Sequence, residues 1–371
     1  MASLLPLPRP DRLGDAAANV WDMAFRGGVA DLRPTPARII DEAPKRTVYR
    51  YLTPDEGTDA REHALPVLFV PPLAAPTLCF DLRRGCSMAE HMLALGHRTY
   101  LLEYGDIAFS DRDLGLEHWI EELIPSAIET VSADAGGRPV QVVGWCLGGI
   151  MALLAMAARP ELPVNAIATV ASPFDFRQVR LMAPIRPVAN LTNGLVLSSV
   201  YRALGGAPAP IVKRAFQLSS LDKYVTKPLV MLNNLHDRDF LAQIEAVDNF
   251  TDNMHAYPGR TIGQLYHRFF RVNDLADGVL ELRDRTIDLA DVEVPVLSVA
   301  GKADVLAPRR AVHHLAGLLP NSPDVRLETS PGGHLGVLTG RSAKRTTWTY
   351  IDDFLGDHTP ARTQPDLRIV A

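Results

Sequence analysis

The stretch Gly144-Trp145-Cys146-Leu147-Gly148-Gly149, set directly behind the apolar run Val140-Gln141-Val142-Val143, constrains this chain more than any other segment. A short β-branched run, then G-x-C-x-G, then the helix-forming Ile150-Met151-Ala152-Leu153-Leu154-Ala155-Met156 predicts a strand, a sharp turn and a helix with a cysteine at the apex. The glycines have a steric purpose. A residue held at such an apex has strained backbone angles, and side chains two positions to either side would clash, so Gly144 and Gly148 remove their Cβ atoms. The helix that follows offers unpaired N–H groups and a positive dipole end, which favour a thiolate at Cys146 and an oxyanion beside it. Nucleophilic acyl chemistry is what this arrangement suits.

Strand-like runs recur at Arg46 to Leu52, Val67 to Val70, Arg98 to Tyr104, Val140 to Val143, Ile167 to Val170, Val294 to Val299 and Val325 to Glu328, with helical patterns between most of them. That alternation predicts an α/β fold, a mostly parallel sheet covered by helices. The clearest helix places Leu116, Trp119, Ile120, Leu123, Ile124, Ile128 and Val131 on one face, with charges on the other. Residues 1–44, rich in proline and alanine with one helical stretch from Ala16 to Phe25, read as an N-terminal arm packed on a core. Core segments then occupy 45–176 and 292–371. Across 177–291 the alternation stops: a Pro/Gly-punctuated apolar section, Leu181 to Pro210, precedes helical patterns from Leu221 to Leu275. This reads as an inserted helical lid over the C-terminal edge of the sheet, walling an apolar channel and excluding water. The alternative is a plain helical layer without a gating role.

With 371 residues, 47% of them hydrophobic, the chain can bury a large core. A net charge of −5 and no long Lys/Arg run argue against nucleic-acid binding, so the expected substrate is small or apolar. No segment approaches the ~20 apolar residues of a membrane helix, and the start has no basic segment ahead of an apolar stretch, so a soluble cytoplasmic protein is expected. The three cysteines, Cys79, Cys86 and Cys146, form no disulfide framework and match no zinc spacing. Neither metal nor organic cofactor is expected.

A nucleophile at such a turn needs a histidine base and an acid to orient it, following it in the order acid, then histidine. After the run Val294 to Val299 comes Ala300-Gly301-Lys302-Ala303-Asp304-Val305-Leu306-Ala307-Pro308, an acid at a strand's C-terminal edge with Pro308 placed to open a helix. After Val325 to Ser330 comes Pro331-Gly332-Gly333-His334-Leu335-Gly336, a glycine-rich loop able to aim an imidazole back at the turn. Singly, each has an ordinary reading: a small buried cysteine, a turn aspartate, a structural histidine. Their order, each behind a predicted strand, selects Cys146, Asp304 and His334 as the catalytic set. Two backbone donors complete it: Leu147 N–H, and one N–H from Val70-Pro71-Pro72-Leu73-Ala74-Ala75-Pro76, where the prolines lack a donor and Ala74 is the choice.

With these boxes in place the chain resembles the polyhydroxyalkanoate synthases, particularly the short class III catalytic subunit, over roughly residues 65–355. The likeness includes Phe80-Asp81-Leu82, Leu102-Glu103-Tyr104-Gly105, Ala171-Ser172-Pro173-Phe174-Asp175-Phe176 and Arg285-Thr286-Ile287-Asp288-Leu289. It implies an α/β-hydrolase fold and an acyltransferase in which Cys146 carries the growing acyl chain as a thioester, His334 activates it, and Asp304 assists the histidine or the incoming hydroxyl. It also implies an acyl-CoA or related acyl ester as substrate, a second synthase subunit as partner and association with polymer or lipid inclusions. A homodimer through the apolar lid, for instance Leu195 to Val200, is a further expectation. The chain departs from the family's usual pattern at Tyr104, Leu147, Ala75 and Val305, where Trp, Gln, Asn and His are usual. Water access separates the outcomes: a dry channel favours transfer to an alcohol, a wet one gives a lipase, esterase or thioesterase with the same triad, and a non-catalytic acyl-binding member would form no covalent adduct.

Overall fold

The computed structural model describes residues 10–53, 64–179, 205–218 and 221–359. Eight strands form its central sheet: β1 (Ala37–Ala43), β2 (Arg46–Tyr51), β3 (Val67–Val70), β4 (Thr99–Glu103), β5 (Val140–Trp145), β6 (Val164–Val170), β7 (Val296–Gly301) and β8 (Val325–Ser330). Their spatial order is β1-β2-β4-β3-β5-β6-β7-β8. The β1–β2 and β2–β4 pairs are antiparallel, and every neighbouring pair from β4 to β8 is parallel. The longer helices are α1 (Pro10–Phe25), α2 (Met88–Ala94), α3 (Ile124–Asp134), α4 (Leu147–Ala158), α5 (Ala209–Leu218), α6 (Leu221–Asn233), α7 (Arg238–Asp252) and α8 (Thr347–Asp357).

Parallel strands covered on both faces have no solvent side, which is why β3 and β5 are apolar almost throughout and wholly buried. Alternate residues serve opposite layers. Leu68, Val70, Val140 and Val142 pack with Trp119, Ile120, Ile124, Ile128 and the apolar residues of α4; Val67, Phe69, Val143 and Trp145 pack with Met88 and Met92 of α2 and Trp348, Ile351 and Phe354 of α8. The stripe read from Leu116 to Val131 is buried as expected, on a helix that is wide-pitched over His118–Leu123 before continuing as α3.

Between β6 and β7 the sheet is interrupted by a helical segment carrying α5, α6 and α7, a two-residue ladder pairing Gly206–Ala207 with Tyr257–Pro258, and a helix that runs on from Gly259 to Val272. Most of the expected apolar section from Leu181 to Pro210, including Leu195 to Val200, lies outside the described residues. No helix among the described residues is long and apolar enough to cross a membrane, and no group of metal-binding side chains occurs among them.

The first 44 residues do more than the reading of an arm on a core allows for. The sheet begins inside them at β1, whose Ala-Arg-Ile-Ile-Asp-Glu-Ala sequence shows no clean alternation because it is a half-exposed edge strand. α1 meets the insertion between β6 and β7. It leans on the α6–α7 turn, with Asn19 Nδ2 donating to Leu235 O at 2.8 Å and Arg238 paired with Asp22 at 2.6 Å, and leaves Trp21 and Phe25 exposed. The link to the core comes later, where the buried Asp81 carboxylate accepts from Thr35 N at 2.6 Å and Thr35 Oγ1 at 2.9 Å.

Candidate active site

The apex expected at Cys146 is present: at φ 52° and ψ −121° the residue sits between the last residue of β5 and the first of α4. Its N–H donates to Val170 O on β6 at 2.8 Å, and its carbonyl accepts from Ser172 Oγ at 2.7 Å, so the turn is pinned from the neighbouring strand. A Cβ on Gly144 would stand 2.5 Å from Gly149 Cα, and one on Gly148 would stand 2.2 Å from Val70 O. Both contacts are with backbone. These approaches let α4 start immediately beside the end of β3.

Asp304 and His334 arrive from the ends of the next two strands. Asp304 is buried in the loop after β7, where Oδ1 accepts from Leu306 N at 2.9 Å and Ala307 N at 2.8 Å, leaving Oδ2 for His334 Nδ1 at 2.8 Å. The acid is therefore fixed by the backbone before it meets the imidazole. His334, in the loop after β8, is held from behind by Trp145 Nε1, which donates to its carbonyl at 3.1 Å, and its ring lies 5.2 Å from the Trp145 ring. Burial pushes the imidazole toward its neutral form, but the Asp304 charge and then Cys146 outweigh that and hold it well above its ordinary range. His334 is thus hydrogen-bonded to Asp304 on one side, and its imidazole is close enough to Cys146 to feel it.

The two expected backbone donors come from the segments that follow the paired strands β5 and β3. Leu147 opens α4, so its N–H has no carbonyl one turn back. β3 pairs with β5 up to Val70 and Gly144, which delivers the loop after β3 to the apex. In that loop Ala75 N turns back on Pro72 O, whereas Ala74 has φ 62° and its carbonyl accepts from His255 N at 2.9 Å. Tyr104 Oη donates to Pro71 O at 3.2 Å and steadies the same loop from β4's end.

Sequence reasoning missed the groups that hold these residues and the loop after β3 in place: Ser172, the Trp145 indole and the main-chain N–H of His255. Ser172 lies in a stretch already notable for its resemblance, but its hydrogen bond depends on where β6 ends. A fourth residue, Tyr257, comes from the insertion; burial and then the Cys146 charge push its phenol up. The insertion also packs directly against the apex, with Phe250 edge-on to Trp145 at 5.9 Å and Phe216 edge-on to Phe250 at 5.9 Å. Beside His334 a cavity of about 440 Å³ opens between α5, α6, α7 and the residues after β8, with Phe216, Val230, Phe240, Ile244 and Val247 on its walls.

The strand order, the run of parallel neighbours from β4 to β8 and the strained apex after β5 define an α/β-hydrolase fold. A solved structure from work on carboxylesterases of the thaumarchaeon Nitrososphaera gargenis shares it, with a TM-score of 0.52 at 14% identity, covering 87% of this chain and 99% of that one. The chain is an enzyme of this fold that resembles the polyhydroxyalkanoate synthases along most of its length. It is 25% identical over 319 residues to the poly(3-hydroxyalkanoate) polymerase subunit PhaC of Allochromatium vinosum, covering 85% of this chain and 87% of that one. Against the subunit of the same name from Haloarcula marismortui it is 22% identical over 365 residues, covering 95% and 76%. No protein-family model matches the chain.

Proposed function

We propose that this chain is a cysteine-dependent acyltransferase of the polyhydroxyalkanoate synthase type, moving 3-hydroxyacyl groups from CoA to a growing polyester through a thioester on Cys146. The observation that carries the reading is the line Cys146, His334, Asp304 at the strained apex, in a chain similar to poly(3-hydroxyalkanoate) polymerases along most of its length. His334 takes the Cys146 proton, and the sulfur attacks the thioester carbonyl. The C–S bond to CoA breaks as the new C–S bond to Cys146 forms, and the departing CoA sulfur takes the proton back from the imidazolium. One thioester replaces another, so the acyl group stays activated for the next step, which a serine ester would not achieve. A hydroxyl from a second hydroxyacyl group then attacks Cys146's thioester with His334 as base, forming an ester and returning the thiol. Asp304 holds the imidazole in the required tautomer and stabilises its cation. Leu147 N–H and Ala74 N–H receive the oxyanion, and each such donor contributes about 2.7 to 4 kcal/mol to the transition state.

The test is to follow CoA release and product size together, with 3-hydroxybutyryl-CoA and longer 3-hydroxyacyl-CoAs, in the parent protein and in Cys146→Ala. CoA release with polymer in the parent and none in Cys146→Ala is the expected result. Release with only free hydroxy acid would replace the reading with a thioesterase on the same triad. Full turnover in a folded Cys146→Ala variant would overturn it.

A further inference from the structure

The cavity beside His334 does not end in apolar wall. Gln243 on α7 and Gly340 line it together with a second cavity of about 250 Å³ that lies on their far side. Gln243 is the partition: its Nε2 donates to Thr339 O at 2.9 Å, and its Oε1 accepts from Arg83 Nε at 3.2 Å. The second cavity differs sharply in character. Arg83, Arg341, Lys344 and Arg345 line it against the single carboxylate of Asp239. Arg83 and Arg341 spend their charge on neighbouring acids, Arg83 on Asp239 at 2.6 Å, Arg341 on Asp237 at 3.0 Å and on Asp239 at 3.2 Å. Lys344 and Arg345 are exposed and form no ion pair among the described residues; Lys344 lies over the Trp348 ring at 5.7 Å.

An apolar chamber beside the catalytic imidazole, divided only by the Gln243 side chain from a cationic cavity, matches a molecule with a reactive thioester at one end, a flexible arm and phosphates at the other. We propose that Lys344 and Arg345, with Arg341 beside them, form the phosphate-binding site for the nucleotide end of a coenzyme A thioester, whose arm threads past Gln243 toward His334 and Cys146. The proposal rests on the acyl-CoA reading of the active site. Arginine presents paired donors that suit phosphate oxygens, and lysine adds a point charge. Positive charge left uncompensated at the rim also raises the local concentration of a polyanionic donor in a chain whose net charge is −5.

The binding arm of the experiment is independent of turnover. Free CoA, pantetheine and inorganic phosphate are titrated calorimetrically into the parent and into the exposed-site variant Lys344→Glu/Arg345→Glu. Expected is CoA binding that weakens at least about tenfold in the variant and falls with added salt, in keeping with loss of one or more charge-assisted contacts. Pantetheine, which lacks the phosphates, does not discriminate between the two proteins. The kinetic arm compares kcat/KM for a 3-hydroxyacyl-CoA with that for the matching 3-hydroxyacyl-pantetheine, and expects the ratio to fall about tenfold or more in the variant. Equal CoA affinity in parent and variant, no CoA binding by the parent, or inorganic phosphate binding as tightly as CoA would each overturn the site. If neither thioester acylates Cys146 while CoA binding still depends on Lys344 and Arg345, the acyltransfer reading fails and the phosphate site stands.

Discussion

Gly144 and Gly148 decide how closely main chain can approach Cys146, and the atoms nearest them are backbone, which cannot swing away. At Gly148 the sign of a substitution follows from magnitudes. Alanine in a helix gains about 0.8 to 1.0 kcal/mol over glycine, but a Cβ there would stand 2.2 Å from Val70 O and 2.6 Å from Pro71 O, and overpacking of this kind costs about 1 to 3 kcal/mol. A Cβ on Gly263, inside the helix that runs from Gly259 to Val272, would meet nothing within 4 Å. Gly148→Ala is therefore expected to lower Tm and, by shifting the segment that leads to Ala74, to slow Cys146 acylation, whereas Gly263→Ala is expected to raise stability by up to about 1 kcal/mol. Thermal unfolding of the two variants, with single-turnover acylation of the first, checks both signs; a Gly148→Ala protein as stable and as fast as the parent would show that the turn can relax. The residues proposed to carry the chemistry are legible in the sequence because each has a local signature, glycines around a strained apex or a loop behind a strand. Ser172 and Trp145 are not, since a serine hydroxyl or an indole N–H becomes a positioning group only once strands β5 and β6 are in register.

The elements that hold the site together are joined by a few partly buried polar clasps. One binds the N-terminal segment to the insertion: Glu245 on α7 accepts from Val29 N at 2.8 Å and Ala30 N at 3.2 Å through one carboxylate oxygen. The chain passes so close that a Cβ on Gly28, which has φ +121°, would overlap the carboxylate. Removing the acceptor leaves two main-chain donors to find water, at about 1 to 3 kcal/mol for a buried one. Glu245→Ala is expected to lower the denaturation midpoint by that order and to speed proteolysis between α1 and β1, read by limited digestion and mass spectrometry. An unchanged cleavage rate would mean the arm is held elsewhere. This is also the scale at which sequence reading reaches its limit. The parallel core strands are visible as short apolar runs because burial on both faces forces that composition, and α3 is visible from its apolar stripe. The edge strand β1 alternates poorly because only part of it is covered, so by pattern alone it merges with the arm. The docking of α1 on the α6–α7 turn joins segments more than two hundred residues apart through a few polar contacts, and hydrophobic periodicity carries no record of those.

Across the whole molecule the active site makes folding stability depend on pH. His334 is held well above its ordinary value of 6.5: burial opposes the charge, but Asp304 and then Cys146 prevail. A histidine whose folded pKa exceeds its unfolded one binds its proton more tightly in the native state, so its contribution is complete below about pH 6.5 and is lost as pH rises through the folded value. His267 and His313 act in the opposite direction. Burial depresses His267, with Arg268 and Arg271 adding to it, and burial depresses His313, so both oppose folding in acid and cease to matter above about pH 6.5. The two effects therefore occupy different windows. Between about pH 7 and 8.5, below the range in which thiols of the unfolded chain ionise, stability is expected to fall with pH at a rate bounded by about 1.4 kcal/mol per unit for one proton. Asp304→Asn removes the largest of the interactions that raise His334 while retaining nearly the same volume, and should flatten that slope even as it slows turnover by roughly a thousandfold or more, as loss of the orienting acid does in comparable triads. Guanidinium midpoints at closely spaced pH values for the parent, Asp304→Asn and Cys146→Ala separate the contributions. The slope should shrink in both variants, more in Asp304→Asn because Asp304 acts on the imidazole more strongly than Cys146 does; a parent slope that survives unchanged in Asp304→Asn would place its origin outside the triad.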